Sequence, residues 1–466
     1  MKVLCVGLMA MWCAGAAKAQ DTLLPGEVAQ SAAAFYPEVL AATAERQSAL
    51  ARRQSADGAF DTVVETELRA RLEGFYSGDF ADVRVRKPLG PLGAEIFGGY
   101  RVSQGDYPIY EDIFFTNQDG EGKVGVLFSL LRGRAIDSRR AGVARADLGI
   151  TEADLDLLLT RIEVKQSALT AYWAWVARAR ELAAYEELLD LAQRQDQALR
   201  KEVAAGARAR IFLTENAQNL TRRQELVRRA ERDLSLAANR LSLFLRSEDG
   251  TPIIPIRAQL PESVPLPSSA PRIDPQALFS ARPDLRLLEV AKDQLEIDRQ
   301  LARNDLLPKL DAAVEASNDF GRLGPGGISR DDPEFIAGLQ LTVPIGRREA
   351  RGRLRTAEAE LQALEQRERL LRDQIARELS DIIITLNTAR DVLALTRQET
   401  EQAEIMRVAE LDRFRGGASD FFLVNLREQA AANAKVRLAQ AEFAYASANV
   451  AFQAATLDTE RLLRGY

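Results

Sequence analysis

The feature that most constrains this chain is an internal duplication. Gly133-Arg134 opens a long polar helical pattern, and Gly346-Arg347 opens a second pattern of the same kind. Further along, Gly206 followed by Ile211-Phe212-Leu213 corresponds to Gly416 followed by Phe421-Phe422-Leu423, at nearly the same offset. Two distant matches at almost one offset argue against chance similarity, so the sequence predicts two structural repeats.

A proline-rich stretch separates the two copies. Residues 251–275 contain seven prolines: Pro252, Pro255, Pro261, Pro265, Pro267, Pro271 and Pro275. Proline fixes φ and removes a backbone donor, so this stretch is predicted to be an extended connector and not a helix. The first repeat is then assigned to residues 20–250 and the second to residues 276–466.

The amino terminus has the pattern of a secretory signal. Lys2 gives a short basic start, an apolar run follows, and Ala17-Lys18-Ala19 supplies small residues at the two positions that signal peptidase reads. We therefore predict a signal peptide over residues 1–19. Cys13 could accept a lipid, but the bulky Trp12 before it argues against lipidation.

Composition excludes several classes of function. The chain has no histidine, and its two cysteines, Cys5 and Cys13, both lie in the predicted signal, so thiol and imidazole chemistry would be missing from the processed protein. A net charge of −6 at pH 7 argues against a nucleic-acid partner. No internal apolar run reaches the roughly 20 residues of a membrane helix. The sequence predicts no enzyme, metal or cofactor.

Four segments alternate between apolar and polar residues. They lie at about 59–73, 122–131, 309–317 and 335–345. Such alternation is typical of a transmembrane β-strand with one face to lipid, although an ordinary half-buried strand gives the same signal. The smallest bacterial barrels need about eight strands and an open edge is not tolerated in lipid. Four strands per chain would therefore require several chains to close a barrel.

The segment between the first two strands is open to two interpretations. Within residues 74–121, Val83-Arg84-Val85-Arg86 and 96–102 flank the turn-like Pro88-Leu89-Gly90-Pro91. The pattern fits either an extra hairpin or an extracellular loop.

Long proline-free helical patterns follow the second and fourth strands. Residues 134–203 and 347–415 are predicted to form helices, which at 1.5 Å per residue would be about 105 Å long. Leu379, Leu386 and Leu393 recur at heptad spacing, which is typical of coiled-coil packing. A glycine break follows each long helix, and second helices are predicted at 211–246 and 421–463.

Short motifs at the ends of these elements resemble the TolC family of outer-membrane efflux proteins. Ala281-Arg282-Pro283-Asp284-Leu285 resembles the opening of the family's second repeat, and Leu307-Pro308-Lys309-Leu310 resembles its helix-to-strand junction. Val343-Pro344-Ile345-Gly346-Arg347 resembles its strand-to-helix junction, and 130–134 is the counterpart in the first repeat. The order and duplication of these motifs extend the resemblance over essentially the whole processed chain.

The resemblance implies a mainly α fold with a membrane β-barrel part. Three chains would form a 12-stranded β-barrel continuous with a 12-helix α-barrel of long coiled-coil helices, with two repeats per chain. Such a homotrimer sits in outer-membrane lipid of a Gram-negative bacterium and extends into the periplasm. It is a passive exit duct, coupled through a periplasmic adaptor protein to an inner-membrane transporter.

The resemblance places the periplasmic gate at the helical tips. Asp420 and Asn425 lie at or near the family's selectivity ring, and Phe421 and Phe422 stand where a second acid is often found. A three-fold ring of carboxylates would favour cations in a narrow pore. A simpler interpretation is that Ser419 caps the restarted helix and Asp420 favours its positive end.

Two further features of the tips suggest a gate and a docking point. Arg208 and Arg210 on the first tip could pair with Asp420 and hold a closed state, although surface ion pairs contribute only about 0–1 kcal/mol. We hypothesise that Asp420→Ala combined with Arg210→Ala raises the conductance of the channel. Gly206, Gly416 and Gly417 could seat the adaptor or could simply end helices.

Alternatives in other classes remain. The same duct could serve type I protein secretion, because the partner transporter determines the substrate. A secreted coiled-coil scaffold without a pore would explain the heptads, but it leaves the four alternating segments unexplained.

Overall fold

A computed structural model describes residues 22–261, 275–323, 330 and 332–457. The helices are α1 (Pro25–Phe35), α2 (Pro37–Asp57), α3 (Ser138–Ala204), α4 (Ile211–Leu241), α5 (Pro275–Ala281), α6 (Pro283–Asp305), α7 (Arg348–Arg415) and α8 (Phe421–Ala455). The strands are β1 (Val63–Arg69), β2 (Asp79–Pro88), β3 (Glu95–Gln104), β4 (Glu121–Ser129), β5 (Lys309–Asp319) and β6 (Glu334–Thr342). The predicted signal and residues 262–274 of the predicted connector lie outside the described residues.

The chain divides into two compact units. Of the described residues, one unit contains 22–40, 160–261, 275–278 and 376–457, and the other contains 41–159, 279–323, 330 and 332–375. Both units draw on both repeats. All six strands belong to the second unit, and both helix-to-helix tips, at 205–210 and 416–420, belong to the first.

Proline marks where several helices begin. Pro25, Pro37, Pro275 and Pro283 are each the first residue of a helix. Proline suits this position because its φ is already helical and its missing N–H would have no partner inside the helix. These short helices, α1, α2, α5 and α6, precede the strands in each repeat. They were not among the helices predicted from the sequence.

The strands form one antiparallel sheet in the order β1-β2-β3-β4-β5-β6. The sequence predicted four strands per chain, and the sheet has six, so that count was wrong. Residues 74–121 hold the two additional strands, β2 and β3, which pair along their whole length. Between the two interpretations of this segment, the structure therefore shows a hairpin, and the residues that follow it form a further loop.

The register places apolar residues of all six strands on one face of the sheet. Val64 lies opposite Val85, Val124 lies opposite Ala316, and Val314 lies opposite Ala337. This apolar face is open: Leu68, Phe335 and Leu339 are each at least 73% exposed. The opposite, polar face carries Asp82, Arg101, Ser129, Asp311 and Ser317, all buried. One face of the sheet is thus apolar and exposed, while the other is polar and buried at these five positions.

The predicted heptads pack in the first of these two units, which contains both tips and is called the helical unit below. Leu386 and Leu393 of α7 form a buried cluster with Tyr445, Ala448 and Phe452 of α8. The same unit buries Trp173, together with Tyr172 and Trp175 of α3. The Tyr172 hydroxyl donates to the Leu23 carbonyl oxygen at 3.0 Å, which fixes the start of the described chain against α3.

Candidate functional site

Both helical tips end in the same way. At the end of α3, the Gly206 amide donates to the Val203 carbonyl and the Ala207 amide donates to the Glu202 carbonyl. Gly206 has φ +73°, so these bonds form a Schellman motif with glycine at its left-handed position. The second tip has two adjacent glycines, Gly416 and Gly417, and their φ angles show which of them corresponds to Gly206.

At the end of α7, the left-handed residue is Gly417, with φ +75°. Its amide donates to the Phe414 carbonyl, and the Ala418 amide donates to the Arg413 carbonyl. The sequence had set Gly206 against Gly416, but the structural equivalent is Gly417. Gly416 needs no left-handed backbone, and a Cβ there would meet only ordinary contacts at 3.5 and 3.6 Å.

Asp420 caps the helix that restarts after the second tip. It occupies the N-cap position of α8, and its Oδ1 accepts a hydrogen bond from the Leu423 amide at 2.8 Å. The expectation that Ser419 is the cap was wrong, because the Ser419 hydroxyl donates instead to the buried Glu410 carboxylate. Asp420 itself is exposed, so its carboxylate can both cap the helix and face solvent.

The two phenylalanines after Asp420 have different surroundings. Phe421 is 4% exposed and packs against Phe414, with ring centroids 6.3 Å apart. Phe422 is 64% exposed. Phe421 therefore stabilises the tip, and Phe422 is the one of the pair that is available to a partner or a pore.

The arginines of the first tip do not pair with Asp420 within the described chain. Arg208 donates to the Glu202 carboxylate at 2.5 Å, and its guanidinium lies 5.1 Å from the centre of the Phe414 ring. That contact between a cation and an aromatic face ties the first tip to the second. Arg210 is exposed and stands just before α4. An ion pair with Asp420 would have to form between chains.

Asn425 belongs to a buried polar cluster near the tips. Arg223 of α4 donates to the Asn425 side chain at 3.1 Å, to the Glu428 carboxylate at 3.1 Å and to the Leu188 carbonyl at 2.9 Å. Gln195 of α3 donates to the other Glu428 oxygen. The side chains of Arg223 and Glu428 are only 3% and 1% exposed. This polar cluster joins α3, α4 and α8 where they approach the tips.

Burial shifts the titration of this pair toward its neutral forms. Removal from water raises the pKa of Glu428, and the Arg223 guanidinium and the Gln195 amide only partly oppose that rise. Burial likewise lowers the pKa of Arg223, against the attraction of Glu428. A buried ion pair of this kind is a weak source of stability, but removing one partner is costly.

Arg223 and Glu428 were not among the predicted site residues, although the sequence carries a signal for both. Glu428 follows Phe421 and Val424 by seven and four positions, on the buried face of α8. Arg223 precedes Val227 and Ala230 on the buried face of α4. A charged residue at an apolar helical position predicts a buried partner of opposite charge.

A known protein family matches the second repeat of the chain. Residues 275–456 match the family described as outer membrane efflux protein. This match confirms the resemblance to the TolC family. The outer-membrane location and the channel class expected from the sequence are confirmed with it. A comparison with curated protein sequences gave no significant match.

Solved structures of outer-membrane channels share the fold. The outer-membrane channel OprN matches with a TM-score of 0.66 at 16% identity, over 93% of this chain and 89% of that one. The CmeC channel of Campylobacter jejuni matches with 0.63 at 13% identity, over 95% and 89%. The MtrE channel of Neisseria gonorrhoeae, in its open state, matches with 0.61 at 14% identity, over 93% and 88%.

Two other kinds of feature are absent from the described residues. None of the helices in those ranges combines the length and the apolar character needed to cross a bilayer. The same ranges hold no group of three or more His, Cys, Asp or Glu side chains placed to bind a metal ion.

Proposed function

We propose that three copies of this chain form the passive exit duct of a tripartite efflux system. The observation that carries the proposal is the sheet, whose apolar face is exposed and whose two outer strands, β1 and β6, each have one edge that pairs with no strand of the described residues. Every residue of β1 and of β6 is exposed. Lipid would cover the apolar face, and neighbouring copies would cover the two edges.

The helices support the same assembly. On the part of α7 within the helical unit, large apolar side chains are exposed, including Ile384 at 60%, Leu395 at 65% and Ile405 at 61%. An exposed apolar stripe on a helix of this length is typical of an interface. In a trimer these side chains would pack against the helices of the next copy and continue the coiled-coil packing of the chain.

The tips complete the proposed duct. Three copies would bring Asp420, Phe422 and Arg210 together in a ring of carboxylates, apolar rings and guanidinium groups. Pairing between Asp420 and Arg210 of neighbouring copies would favour a closed gate. The adaptor would dock on the outside of the tips near Gly416 and connect the duct to an inner-membrane transporter. OprN and CmeC, whose fold this chain shares, are outer-membrane channels, which is consistent with this arrangement.

Deletion of the gene in its own host tests this function. We expect the deletion strain to accumulate more fluorescent efflux substrate and to lose drug tolerance, with recovery on complementation. A heat-sensitive trimer should be found in the outer-membrane fraction. Unchanged accumulation together with loss of one secreted protein would instead indicate type I secretion. Recovery of the chain only as a protein outside membranes would indicate the scaffold.

A further inference from the structure

We propose that each chain contributes six strands to the membrane barrel, and that residues 105–120 narrow the resulting wide lumen. Three copies of the six-stranded sheet give an 18-stranded barrel, where the resemblance implied twelve strands. We call residues 105–120, which join β3 to β4, the lumen loop. The proposal rests on the trimeric duct proposed above, and it adds the width of the exit and the residues that filter cargo by size.

The additional hairpin is a full part of the sheet. β2 pairs with β1 over Phe80–Arg86, and β3 pairs with β4 over Glu95–Arg101. Its turn lies where the sheet meets the helices, because a Cβ added to Gly93 would lie 2.5 Å from the Gly133 carbonyl oxygen. The hairpin therefore extends along the whole height of the sheet.

The hairpin also continues the apolar face and the polar face of the neighbouring strands. Val83 lies opposite Thr66 on one side and Tyr100 on the other, and all three are on the apolar face. Val83 and Tyr100 are 41% and 46% exposed. On the other face, Arg84 and Arg101 both pair with Asp82. A hairpin outside the bilayer would have no need of an apolar face in register with the membrane strands.

The strand directions allow three such sheets to close. β1 runs away from the helices and β6 runs back toward them, so β1 of one copy can pair antiparallel with β6 of the next. The total is even, as antiparallel closure requires. Barrel diameter grows roughly in proportion to strand number, so 18 strands would give a barrel about 1.5 times as wide as 12 strands. Barrels of 16–18 strands leave an aqueous channel.

The lumen loop lies on the polar face of the sheet, at the end away from the helices. Phe114 stacks on Phe80 with ring centroids 4.7 Å apart. Arg101 donates to the Ile113 carbonyl at 2.7 Å, and the Thr116 amide donates to the Ser103 hydroxyl at 2.7 Å. The three sheet residues in these contacts, Phe80, Arg101 and Ser103, all belong to the polar face.

The loop is also held from the second repeat and leaves apolar side chains uncovered. The Asn117 amide donates to the Asp319 carboxylate at 2.9 Å, and Arg330 donates to the Asp112 carbonyl at 2.9 Å. Ile109, Tyr110 and Ile113 are 96%, 78% and 69% exposed. Because the loop covers the lumen face, three copies of these side chains would narrow the lumen near its outer end.

Fluorescence quenching by lipid tests whether the hairpin lies in the membrane wall. Val83→Cys, labelled with an environment-sensitive dye and reconstituted in vesicles, should be quenched by brominated lipid as strongly as labelled Leu339→Cys on β6. Labelled Arg84→Cys, on the polar face, should not be quenched. Quenching at Leu339→Cys without quenching at Val83→Cys would overturn the six-strand barrel.

Labelling from outside intact cells tests the size filter without involving the helical tips. Lys123→Cys lies on the polar face of β4, opposite Gly99 and therefore nearer the helices than Arg101, which the lumen loop contacts. Polymer maleimides above a certain size should fail to react with it. Replacing Ile109–Phe114 by a Gly/Ser segment of equal length should raise that size limit. The double variant Ile109→Ser, Ile113→Ser keeps the packed Phe114 and should raise it less.

Controls separate this inference from the proposed function. Phe75→Cys, which is 94% exposed in the loop before β2, should react with every reagent size in both backgrounds. An unchanged size limit at Lys123→Cys in both loop variants would overturn the filter. If efflux is normal while the size limit is unchanged, the size filter is wrong and the proposed duct stands. If efflux fails while the labelling is as expected, the proposed duct is wrong and the six-strand barrel stands.

Discussion

The Asp420 carboxylate caps α8 and remains exposed, so the effect of its charge can be tested separately from its capping. Asparagine caps a helix about as well as aspartate but carries no charge, whereas alanine does neither. Asp420→Asn should therefore keep the Leu423 amide protected from hydrogen exchange and abolish any cation preference in reversal-potential measurements. Asp420→Ala should also lose about 1 kcal/mol of local stability, or roughly five-fold in protection. Equal cation preference in wild type and Asp420→Asn would contradict a selectivity ring.

Glu428 should make stability depend on pH. Its pKa in the folded protein is raised above the ordinary 4.5, so the folded state binds this proton more tightly than the unfolded chain. The stability from this group is full below about 4.5 and is lost as pH rises through the raised value. Between about pH 5 and about pH 8, the thermal unfolding temperature of Glu428→Gln should therefore change less with pH than that of wild type.

Because the neutral amide resembles the protonated carboxyl, the same variant should lose the fall in unfolding temperature that wild type shows as pH rises. Glu399→Gln is the matched control. Glu399 pairs with Arg437 on the surface, where an ion pair contributes about 0–1 kcal/mol, so this variant should follow the wild-type pH profile. Identical pH profiles for Glu428→Gln and wild type would contradict the role assigned to Glu428.

At the level of single residues, sequence reasoning found the position of the tips but not their contacts. Glycine at a helix end is a local signal, so the break near Gly416 could be predicted. Which of Gly416 and Gly417 has positive φ depends on the hydrogen bonds of the last turn. The contact of Arg208 with Phe414 joins residues far apart in the chain, and no local pattern predicts it.

The turn at the second tip requires different backbone conformations of its two adjacent glycines. Gly417→Ala would force a side chain into the left-handed region, which costs about 1–2 kcal/mol, whereas Gly416→Ala fits without strain. Hydrogen exchange at the start of α8 should rise for Gly417→Ala and stay unchanged for Gly416→Ala. If Gly416→Ala nevertheless reduces crosslinking to the adaptor, close approach is required there. Equal exchange in both variants would contradict the Schellman geometry.

At the level of elements, long helices were predictable and the strand count was not. The helices α3 and α7 begin at Ser138 and Arg348, close to the predicted 134 and 347, because proline-free heptads are a strong signal. The sequence does not decide between a hairpin and a loop for β2 and β3, because Gly98 and Gly99 interrupt the alternation on both faces of β3. Only the pairing of both strands with their neighbours shows that they belong to the sheet.

At the level of the whole molecule, duplication explains how one chain supplies both halves of a duct protomer. Each repeat leads through strands into a long helix, and β4 of the first repeat pairs with β5 of the second. The extra hairpin breaks the symmetry, since the first repeat supplies four strands and the second supplies two. Among the described residues, the outer edges of β1 and β6 pair with no further strand, and the proposed trimer would cover them with neighbouring copies.

Disulfide crosslinking between β1 and β6 tests this closure most directly. Thr66→Cys would be combined in turn with Phe335→Cys, Ala337→Cys and Leu339→Cys, all on the apolar face. Because both natural cysteines, Cys5 and Cys13, lie in the predicted signal peptide, oxidation would join only the introduced pairs. We expect at least one pair to give a ladder that ends at three chains, while each single variant stays a monomer. Bonds within one chain only, or a ladder that continues beyond three, would contradict the trimeric barrel.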